Sequence, residues 1–215
     1  MERLKCGLKI GMIACIDGYN YIGLDSNLLF RIKEDMSHFK ESTTGQIIVM
    51  GRKTFESIGS KPLSNRMNIV MTSKETTDFL RQDKEYKNLF YARDFDVLKY
   101  DTLGMDEVIA VHTEDFHWNT PEKIYIIGGG QIYESALKEL PVEFLDLTMV
   151  YDTYEKISGI KPNIKFPTIS LAEWKSKPQT NMQISSNWKS ATKDGNYTSH
   201  PEKGLLYRFV LYEKI

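Results

Sequence analysis

Four short apolar runs divide this 215-residue chain, and each ends in residues that form turns. The runs are rich in β-branched residues and cover residues 10–16, 47–50, 68–71 and 124–127. Consecutive apolar positions without polar alternation are typical of strands that are covered on both faces of a sheet. Helix-like stretches are predicted between the runs, over residues 33–40, 54–58 and 131–140, and Pro141 ends the last of them. This alternation predicts an α/β fold with a largely parallel sheet.

The end of the chain has a different pattern. Residues 144–150 and 205–212 are strand candidates, and a stretch rich in Ser, Asn and Lys separates them. Because mixed sheets commonly carry antiparallel strands at an edge, we expect these strands to be antiparallel. Residues 102–121, which are acidic, and residues 153–165 are predicted surface insertions. No linker divides the chain, so we expect a single domain over residues 1–215.

Composition excludes several classes of protein. The chain has 28 Lys+Arg and 29 Asp+Glu, and a net charge of −1 disfavours a nucleic-acid binder that relies on charge alone. Cys6 and Cys15 are too few for a disulfide framework, so we expect two reduced thiols in a cytoplasmic protein. The four histidines lack metal-ligand spacing, and no metal site is expected. No signal peptide or membrane span is expected either, because no apolar run is long enough.

The strongest local signal is a strand that runs into three glycines and then into a helix. Gly128, Gly129 and Gly130 follow the run at residues 124–127. Glycines let the backbone approach a ligand closely, and N–H groups at a helix N-terminus bind anions. The spacing is not G-x-G-x-x-G, so a Rossmann dinucleotide fold is not supported. Taken alone, a phosphate site and a tight turn explain these glycines equally well.

Two further strand ends carry side chains that suit an anion. They are Arg52, Lys53 and Thr54 after residues 47–50, and Thr72, Ser73 and Lys74 after residues 68–71. Gly51 permits a sharp turn at the first of these ends, and an arginine can bind phosphate through two parallel hydrogen bonds. A solvated basic turn explains each end alone. Three such junctions in one α/β chain favour a ligand with several phosphates.

Asp35 is the acid that we single out. It lies on a predicted helix face with Met36 and Phe39, so it would point toward apolar surface. For an isolated acid on a helix, a solvated or capping role is the simpler interpretation. The chain contains no G-x-S-x-G motif, which argues against a serine hydrolase of that type.

A set of short sequence blocks occurs in one order along nearly the whole chain. The blocks are Ile13-Ala14-Cys15-Ile16-Asp17, Ile22-Gly23, Asp35 with Met36 and Phe39, residues 48–58, Pro62-Leu63, Arg66, Asn68-Ile69-Val70, residues 127–130 with Tyr133, Leu147-Thr148, Phe166-Pro167 and residues 207–213. The G-R-x-T-x-E-S-I and I-G-G-x-x-x-Y blocks are specific together. In this order the chain resembles dihydrofolate reductase. The first nine residues and the two insertions lie outside the match.

The resemblance implies a twisted, mixed and mostly parallel sheet flanked by helices, with NADPH and dihydrofolate meeting in a cleft. It implies the NADPH-dependent reduction of 7,8-dihydrofolate to 5,6,7,8-tetrahydrofolate, which supplies one-carbon metabolism and the synthesis of thymidylate and purines. Antifolates would be further ligands. We expect a cytoplasmic monomer, unless the chain is part of a bifunctional protein, with no nucleic-acid or membrane partner.

The resemblance also assigns site residues. The catalytic set is Asp35, Phe30, Leu28, Tyr133 and Thr148, in which Asp35 hydrogen-bonds the pterin and Thr148 supports it. The substrate set is Ile13, Ala14, Asp35, Met36, Phe39, Ile58, Leu63, Arg66 and Ile127, in which Arg66 pairs with the glutamate carboxylate of the substrate. The cofactor set is Cys15, Ile22, Gly23, Gly51, Arg52, Lys53, Thr54, Thr72, Ser73, Lys74, Arg93, Gly128, Gly129, Gly130, Gln131 and Ile132. Residues 17–30 would form a mobile loop.

Some positions depart from the family pattern. Leu28-Leu29-Phe30 stands where Leu-Pro-Trp is usual, which removes an indole N–H donor. Cys15 replaces a usual Ala, Lys33 a common Pro, and Gln131 follows the glycines where Arg can occur. Two other hypotheses stay open. A related pyrimidine reductase of riboflavin synthesis is disfavoured by Asp35, Phe39 and Arg66, and a non-catalytic descendant is favoured by the change at Phe30.

Overall fold

The computed structural model describes residues 8–73, 80–99, 108–109, 119–200 and 203–215. In these residues the helices are α1 (Lys33–Thr43), α2 (Arg52–Ser57), α3 (Asp96–Lys99), α4 (Gly130–Glu139) and α5 (Tyr154–Ser158). The strands are β1 (Lys9–Ile16), β2 (Tyr21–Leu24), β3 (Asn27–Leu28), β4 (Phe30–Ile32), β5 (Ile47–Gly51), β6 (Met67–Met71), β7 (Leu80–Gln82), β8 (Leu89–Ala92), β9 (Lys123–Ile126), β10 (Phe144–Val150), β11 (Ile164–Lys165), β12 (Trp174–Pro178), β13 (Gln183–Ser185), β14 (Trp188–Ala191), β15 (Tyr197–Ser199) and β16 (Leu205–Lys214).

The chain divides into two compact units. Unit 1 contains Met1–Gly11 and Thr43–Glu143, and unit 2 contains Met12–Ser42 and Phe144–Ile215. The chain passes between the units three times, inside β1, at the end of α1 and directly before β10, and the sequence has no Gly-, Pro- or Ser-rich linker at these points. The expectation of a single domain stays a prediction.

Unit 1 is built on parallel strands. β5 pairs in parallel with β6 and with β9, and β6 pairs in parallel with β8. The short strand β7 joins β8 in the antiparallel direction. Every residue of β5 and β6 is buried, as expected for apolar runs that are covered on both faces. Helices α2 and α4 directly follow β5 and the turn after β9, so the predicted alternation of strands and helices is confirmed.

Unit 2 is largely antiparallel. β16 pairs with β10, β12 and β13, all in the antiparallel direction. β14 lies between β4 and β15, and β2 pairs with β3 and β11. An apolar cluster that includes Phe30, Tyr154, Trp188 and Tyr207 fills this unit. The predicted fold class, a mixed and mostly parallel sheet with antiparallel C-terminal strands, is confirmed.

Residues 17–30 differ most from the sequence prediction. Instead of a loop, this segment contains β2 and β3. Asp17 fixes its start: the residue is 2% exposed, and its carboxylate accepts hydrogen bonds from the backbone N–H groups of Tyr19, Tyr21 and Tyr154, each at 2.9 Å. The loop that the family resemblance implied was wrong for β2 and β3, because β2 pairs with β3 and with the distant β11.

The two predicted insertions have different outcomes. Residues 153–165 contain α5 and β11, and β11 pairs with β2, so this segment has regular structure. Most of residues 102–121 lie outside the described part of the chain. Within the described ranges, no helix is both long and apolar enough to cross a membrane.

Candidate active site

Asp35 and Thr148 meet inside unit 2. Asp35 lies in the first turn of α1, and Thr148 lies in β10. The Thr148 hydroxyl Oγ1 donates a hydrogen bond to Asp35 Oδ1 at 2.5 Å. The two residues are 6% and 1% exposed. Asp35 is therefore not a solvated helix residue, and the contact implied by the family resemblance is present.

The surroundings of Asp35 change its acidity. Burial raises the pKa of the Asp35 carboxyl from 3.8 to about 6, and the negative charge of Asp146 adds to this. The hydrogen bond from Thr148 and the positive charge of His38 lower the pKa. A buried carboxyl that titrates near neutral pH is typical of a functional group. Burial, Asp35 and Asp17 also raise the pKa of the Cys15 thiol, which keeps it neutral.

The other residues predicted around Asp35 occupy different environments. Phe39 is half-buried, but Met36 is 38% exposed, so the shared apolar face was wrong for Met36. Successive helix residues point about 100° apart, and Met36 directly follows Asp35. Phe30 is 2% exposed in the core, with its ring centroid 5.8 Å from that of Tyr154. Leu28 is 46% exposed.

Two strand ends that the sequence marked separately are adjacent in unit 1. The backbone N–H of Gly51 donates to the carbonyl oxygen of Gly128 at 2.8 Å. A Cβ on Gly51 would lie 2.7 Å from Ile132 Cγ1, so a side chain does not fit there. Gly128 has a φ of 109°, and a Cβ on it would lie 3.0 Å from the Tyr133 ring. The peptide bond between Gly128 and Gly129 is cis.

The N-terminus of α4 is suited to an anion. Gly129 is the N-cap, and within the described residues no side chain caps this helix end. Among the described residues, a Cβ on Gly129 would meet only Thr54 Oγ1, at 3.5 Å. Backbone N–H groups beside a hydroxyl form a site for a phosphate group. The basic residues are near the surface: Arg52 pairs with Glu56 on α2 at 2.5 Å, and Lys53 is exposed.

The remaining residues of the predicted cofactor and substrate sets divide by burial. Those buried are Ile13, Ile22, Gly23 and Thr72; those half-buried are Ala14, Cys15, Thr54, Leu63, Ile127, Gly130 and Ile132; and those exposed are Ile58, Ser73, Arg93 and Gln131. Tyr133, from the predicted catalytic set, is also buried. Lys74 lies outside the described residues. In the part of the chain that the structure describes, no group of three or more His, Cys, Asp or Glu is placed to hold a metal ion.

Arg66 is buried in unit 1. It is 6% exposed, and its guanidinium donates to the Ser64 carbonyl at 2.9 Å and to Thr43 Oγ1 at 3.0 Å. Burial lowers its pKa. The Asn68 amide donates to the carbonyl oxygens of Leu63 at 3.0 Å and Arg66 at 2.9 Å, and so fixes the loop that carries both residues. Sequence reasoning placed Asn68 in a strand and missed this role, although an amide inside an apolar run was the available signal.

Comparison with known proteins decides the family. The family profile for dihydrofolate reductase matches residues 9–197. The chain is 30% identical to a dihydrofolate reductase of Bacillus subtilis (strain 168) over 206 residues, which is 95% of this chain and 94% of that protein. The chain belongs to the dihydrofolate reductase family. It is therefore an oxidoreductase, and the family generally implies a nicotinamide cofactor.

Two further relatives show how far the similarity extends. A dihydrofolate reductase of Staphylococcus aureus (strain MSSA476) is 25% identical over 167 residues, covering 78% of this chain and 83% of that protein. A bifunctional dihydrofolate reductase-thymidylate synthase of Paramecium tetraurelia is 35% identical over 116 residues. That match covers 54% of this chain but only 20% of the bifunctional protein. Relatives of the dihydrofolate reductase family thus include both separate and fused enzymes.

Proposed function

We propose that this protein reduces 7,8-dihydrofolate to 5,6,7,8-tetrahydrofolate with NADPH. The observation that carries the proposal is the buried Asp35 carboxyl, bonded to Thr148, in a chain of the dihydrofolate reductase family. When bound, the nicotinamide supplies the hydride for the C6=N5 bond of the substrate. N5 must also gain a proton.

We assign Asp35 the orientation and polarisation of the pterin. The hydrogen bond from Thr148 fixes one oxygen of the carboxyl group, so the acid has a defined direction. A carboxyl group with a pKa of about 6 can hydrogen-bond a pterin in either protonation state near neutral pH. Water is the proposed carrier of the proton to N5, because Asp35 is assigned to the other part of the ring. Phe39 and Met36 would contact the pterin and the aminobenzoyl group.

The geometry of unit 1 supports binding of the cofactor phosphates. The N-terminus of α4 has room at Gly129, and the Thr54 hydroxyl lies beside that room. The residues proposed to hold the phosphates are Arg52, Lys53, Thr54, Thr72, Ser73 and residues 129–132. Gly51 and Gly128 keep the two strand ends close enough for this, because neither leaves space for a side chain.

Arg52→Ala is expected to weaken binding of NADPH much more than binding of NADH. Loss of a charge-assisted contact to the 2′-phosphate costs about 1.5–3 kcal/mol, and NADH lacks that group. Glu56→Gln is the matched control. It removes the carboxylate that pairs with Arg52 at 2.5 Å, so NADPH affinity should be kept or increased. Titration of cofactor fluorescence measures both. Equal losses for the two cofactors in Arg52→Ala would exclude a contact between Arg52 and the 2′-phosphate.

Arg66→Ala is expected to raise the KM for dihydrofolate and to spare a pterin substrate that lacks the glutamate. The proposed salt bridge to the glutamate carboxylate contributes about 1.5–3 kcal/mol. Because Arg66 also bonds Ser64 and Thr43, the melting temperature must be measured beside the kinetics. Thr43→Val removes one of those bonds without removing the cation, and is the structural control. Equal damage to both substrates would show that Arg66 acts only through the fold.

The decisive assay is the loss of NADPH absorbance in the presence of dihydrofolate. Turnover with dihydrofolate supports the proposal, whereas turnover only with a ribosylated aminopyrimidine would favour the riboflavin-pathway hypothesis. Binding of NADPH without turnover of either substrate would favour a non-catalytic protein. Family membership also supports a single-domain, cytoplasmic monomer, and light scattering of the purified chain tests the oligomeric state.

A further inference from the structure

A second buried pair lies one helical turn after Asp35. His38 Nε2 is 2.8 Å from Asp146 Oδ1, and the two side chains are 18% and 6% exposed. Ser42 Oγ donates to the other Asp146 oxygen at 3.4 Å. The Phe209 ring stacks on the imidazole, with 4.3 Å between the ring centroids. The pair is therefore held from the helix, from β10 and from β16.

Helix and strand periodicity connect this pair to the candidate active site. His38 follows Asp35 by three positions, so both side chains lie on one face of α1. Thr148 follows Asp146 by two positions, so both point from one face of β10. The helix thus contacts the strand twice, through Asp35–Thr148 and through His38–Asp146.

The charges of His38, Asp35 and Asp146 influence the pKa values of His38 and Asp35. Burial alone lowers the pKa of His38, but its hydrogen bond to Asp146 and the negative charges of Asp146, Asp35 and Glu41 raise it above its usual value. Burial is the largest cause that raises the pKa of Asp35, while the His38 cation lowers it. His38 is therefore more readily protonated than a free imidazole, and its positive charge favours the ionised form of Asp35.

Other titratable groups face this cluster from each packed element. They are Glu34 and Glu41 on α1, Cys15 on β1 and Tyr207 on β16. Burial, Glu34 and Asp35 raise the pKa of Tyr207, and Cys15 is likewise kept neutral. Glu34 accepts a hydrogen bond from Ser185 Oγ at 2.9 Å. Of the groups named, His38 is the cation.

We propose that His38, fixed by Asp146, is a positioning residue for Asp35, and that the protonation of Asp35 depends on the charge of His38 on the same helix face. The pair holds the first turns of α1 against β10, and the imidazolium is the counter-charge of Asp35 when that acid is ionised. The inference rests on the proposed function, because it is the protonation of Asp35 in the reductase that His38 would control.

His38→Gln tests the coupling directly. Titration of the Asp35 carboxyl by NMR should show its pKa moved upward by roughly one unit, as expected when a nearby opposite charge is lost. The apparent pKa of the turnover–pH profile should move in the same direction. Asp146→Asn should lower the pKa of His38. In the Asp146→Asn background, His38→Gln should shift Asp35 less, because His38 is then neutral over more of the range.

Lys33→Gln is the matched control. It removes an exposed cation from the same helix, and solvent and salt screen its charge, so the Asp35 titration should not move. If His38→Gln lowers the melting temperature but leaves the Asp35 titration unchanged, the pair is only structural and the proposal is wrong. The double variant His38→Gln/Asp146→Asn, in which the Asp146 carboxylate is not left without its partner, serves if the single variant does not fold. The NMR arm decides the coupling even if the wild-type protein shows no reductase turnover, so the two failures are distinguishable.

Discussion

Asp35→Asn is expected to remove most of the reductase turnover and, at neutral pH, to make the protein more stable. Burial raises the pKa of Asp35 from 3.8 to about 6, so the ionised form is disfavoured in the folded state. The stabilisation that comes with protonation is complete below pH 3.8 and is lost as the pH rises through about 6. Above that pH the wild-type protein carries a penalty of up to about 3 kcal/mol, which the neutral amide avoids.

Thermal unfolding against pH measures the gain in stability. For a chain of this size, the expected increase in Tm at neutral pH is at most roughly 6–12 °C. The difference between the two proteins should shrink as the pH falls through about 6 and disappear near 3.8. Glu155→Gln, the same carboxylate-to-amide change at an exposed position of α5, should shift Tm by little at any pH. A lower Tm for Asp35→Asn at neutral pH would contradict the argument from burial.

The kinetic effect of Asp35→Asn has a different pH dependence. Turnover of dihydrofolate should fall by about 10²-fold at neutral pH, in the range found when a group that assists proton transfer is removed. Part of the rate should return at lower pH, because acid helps to protonate the substrate. Protonated diaminopyrimidine antifolates should bind less tightly by about 1.5–3 kcal/mol, since they lose a charged partner. Full activity with unchanged antifolate binding would remove Asp35 from the site.

The parts of the fold that the sequence predicted are those where burial is continuous. β5 and β6 have no exposed residue, and their apolar runs identified them within one residue of the observed bounds. Helix α4 was predicted within one residue at each end because its apolar positions repeat and Pro141 follows it. The short strands β2, β3 and β12–β15 lack such a signal. β2 and β12–β14 pair with the distant strands β11, β16 and β4, and a local pattern does not contain that information. β3 and β15 pair with the strands that precede them, β2 and β14.

The sequence predicted those parts of the candidate site that depend on local patterns and missed those that depend on distant contacts. The sequence predicted a close approach of the backbone at residues 128–130 and a sharp turn at Gly51, and the structure shows what a Cβ would meet at Gly51, Gly128 and Gly129. The His38–Asp146 pair was missed because the two residues are 108 positions apart. Helix α1 also packs a polar face against β10, so its pattern of apolar residues did not show which face is buried. The structural role of Asp17 was missed because one of its three backbone partners, Tyr154, lies far from it in the sequence.

Substitution of two adjacent glycines by alanine should separate stability from cofactor binding. Gly128→Ala is expected to destabilise the fold by about 1–3 kcal/mol, since its φ of 109° is unfavourable for a side chain and the Cβ would lie 3.0 Å from the Tyr133 ring. Gly45→Ala is the control for backbone conformation alone. Its φ is 74° and a Cβ there has no neighbour within 4 Å in the part of the chain that the structure describes, so the loss should be smaller, about 1–2 kcal/mol.

Gly129→Ala should weaken cofactor binding and have little effect on stability. Its φ is −81°, and of the residues that the structure describes the added Cβ would meet only Thr54, at 3.5 Å from Oγ1. We therefore expect a loss of stability of no more than about 1 kcal/mol, from the weaker N-cap. The same Cβ would occupy the room in which a phosphate group would approach the N–H groups of α4. Affinity for NADPH should therefore fall by at least about tenfold, which corresponds to about 1.4 kcal/mol. Calorimetric titration with NADPH beside thermal unfolding measures both effects. Normal NADPH affinity in a stably folded Gly129→Ala protein would place the cofactor phosphates elsewhere, and the α4 N-terminus would then be only a turn.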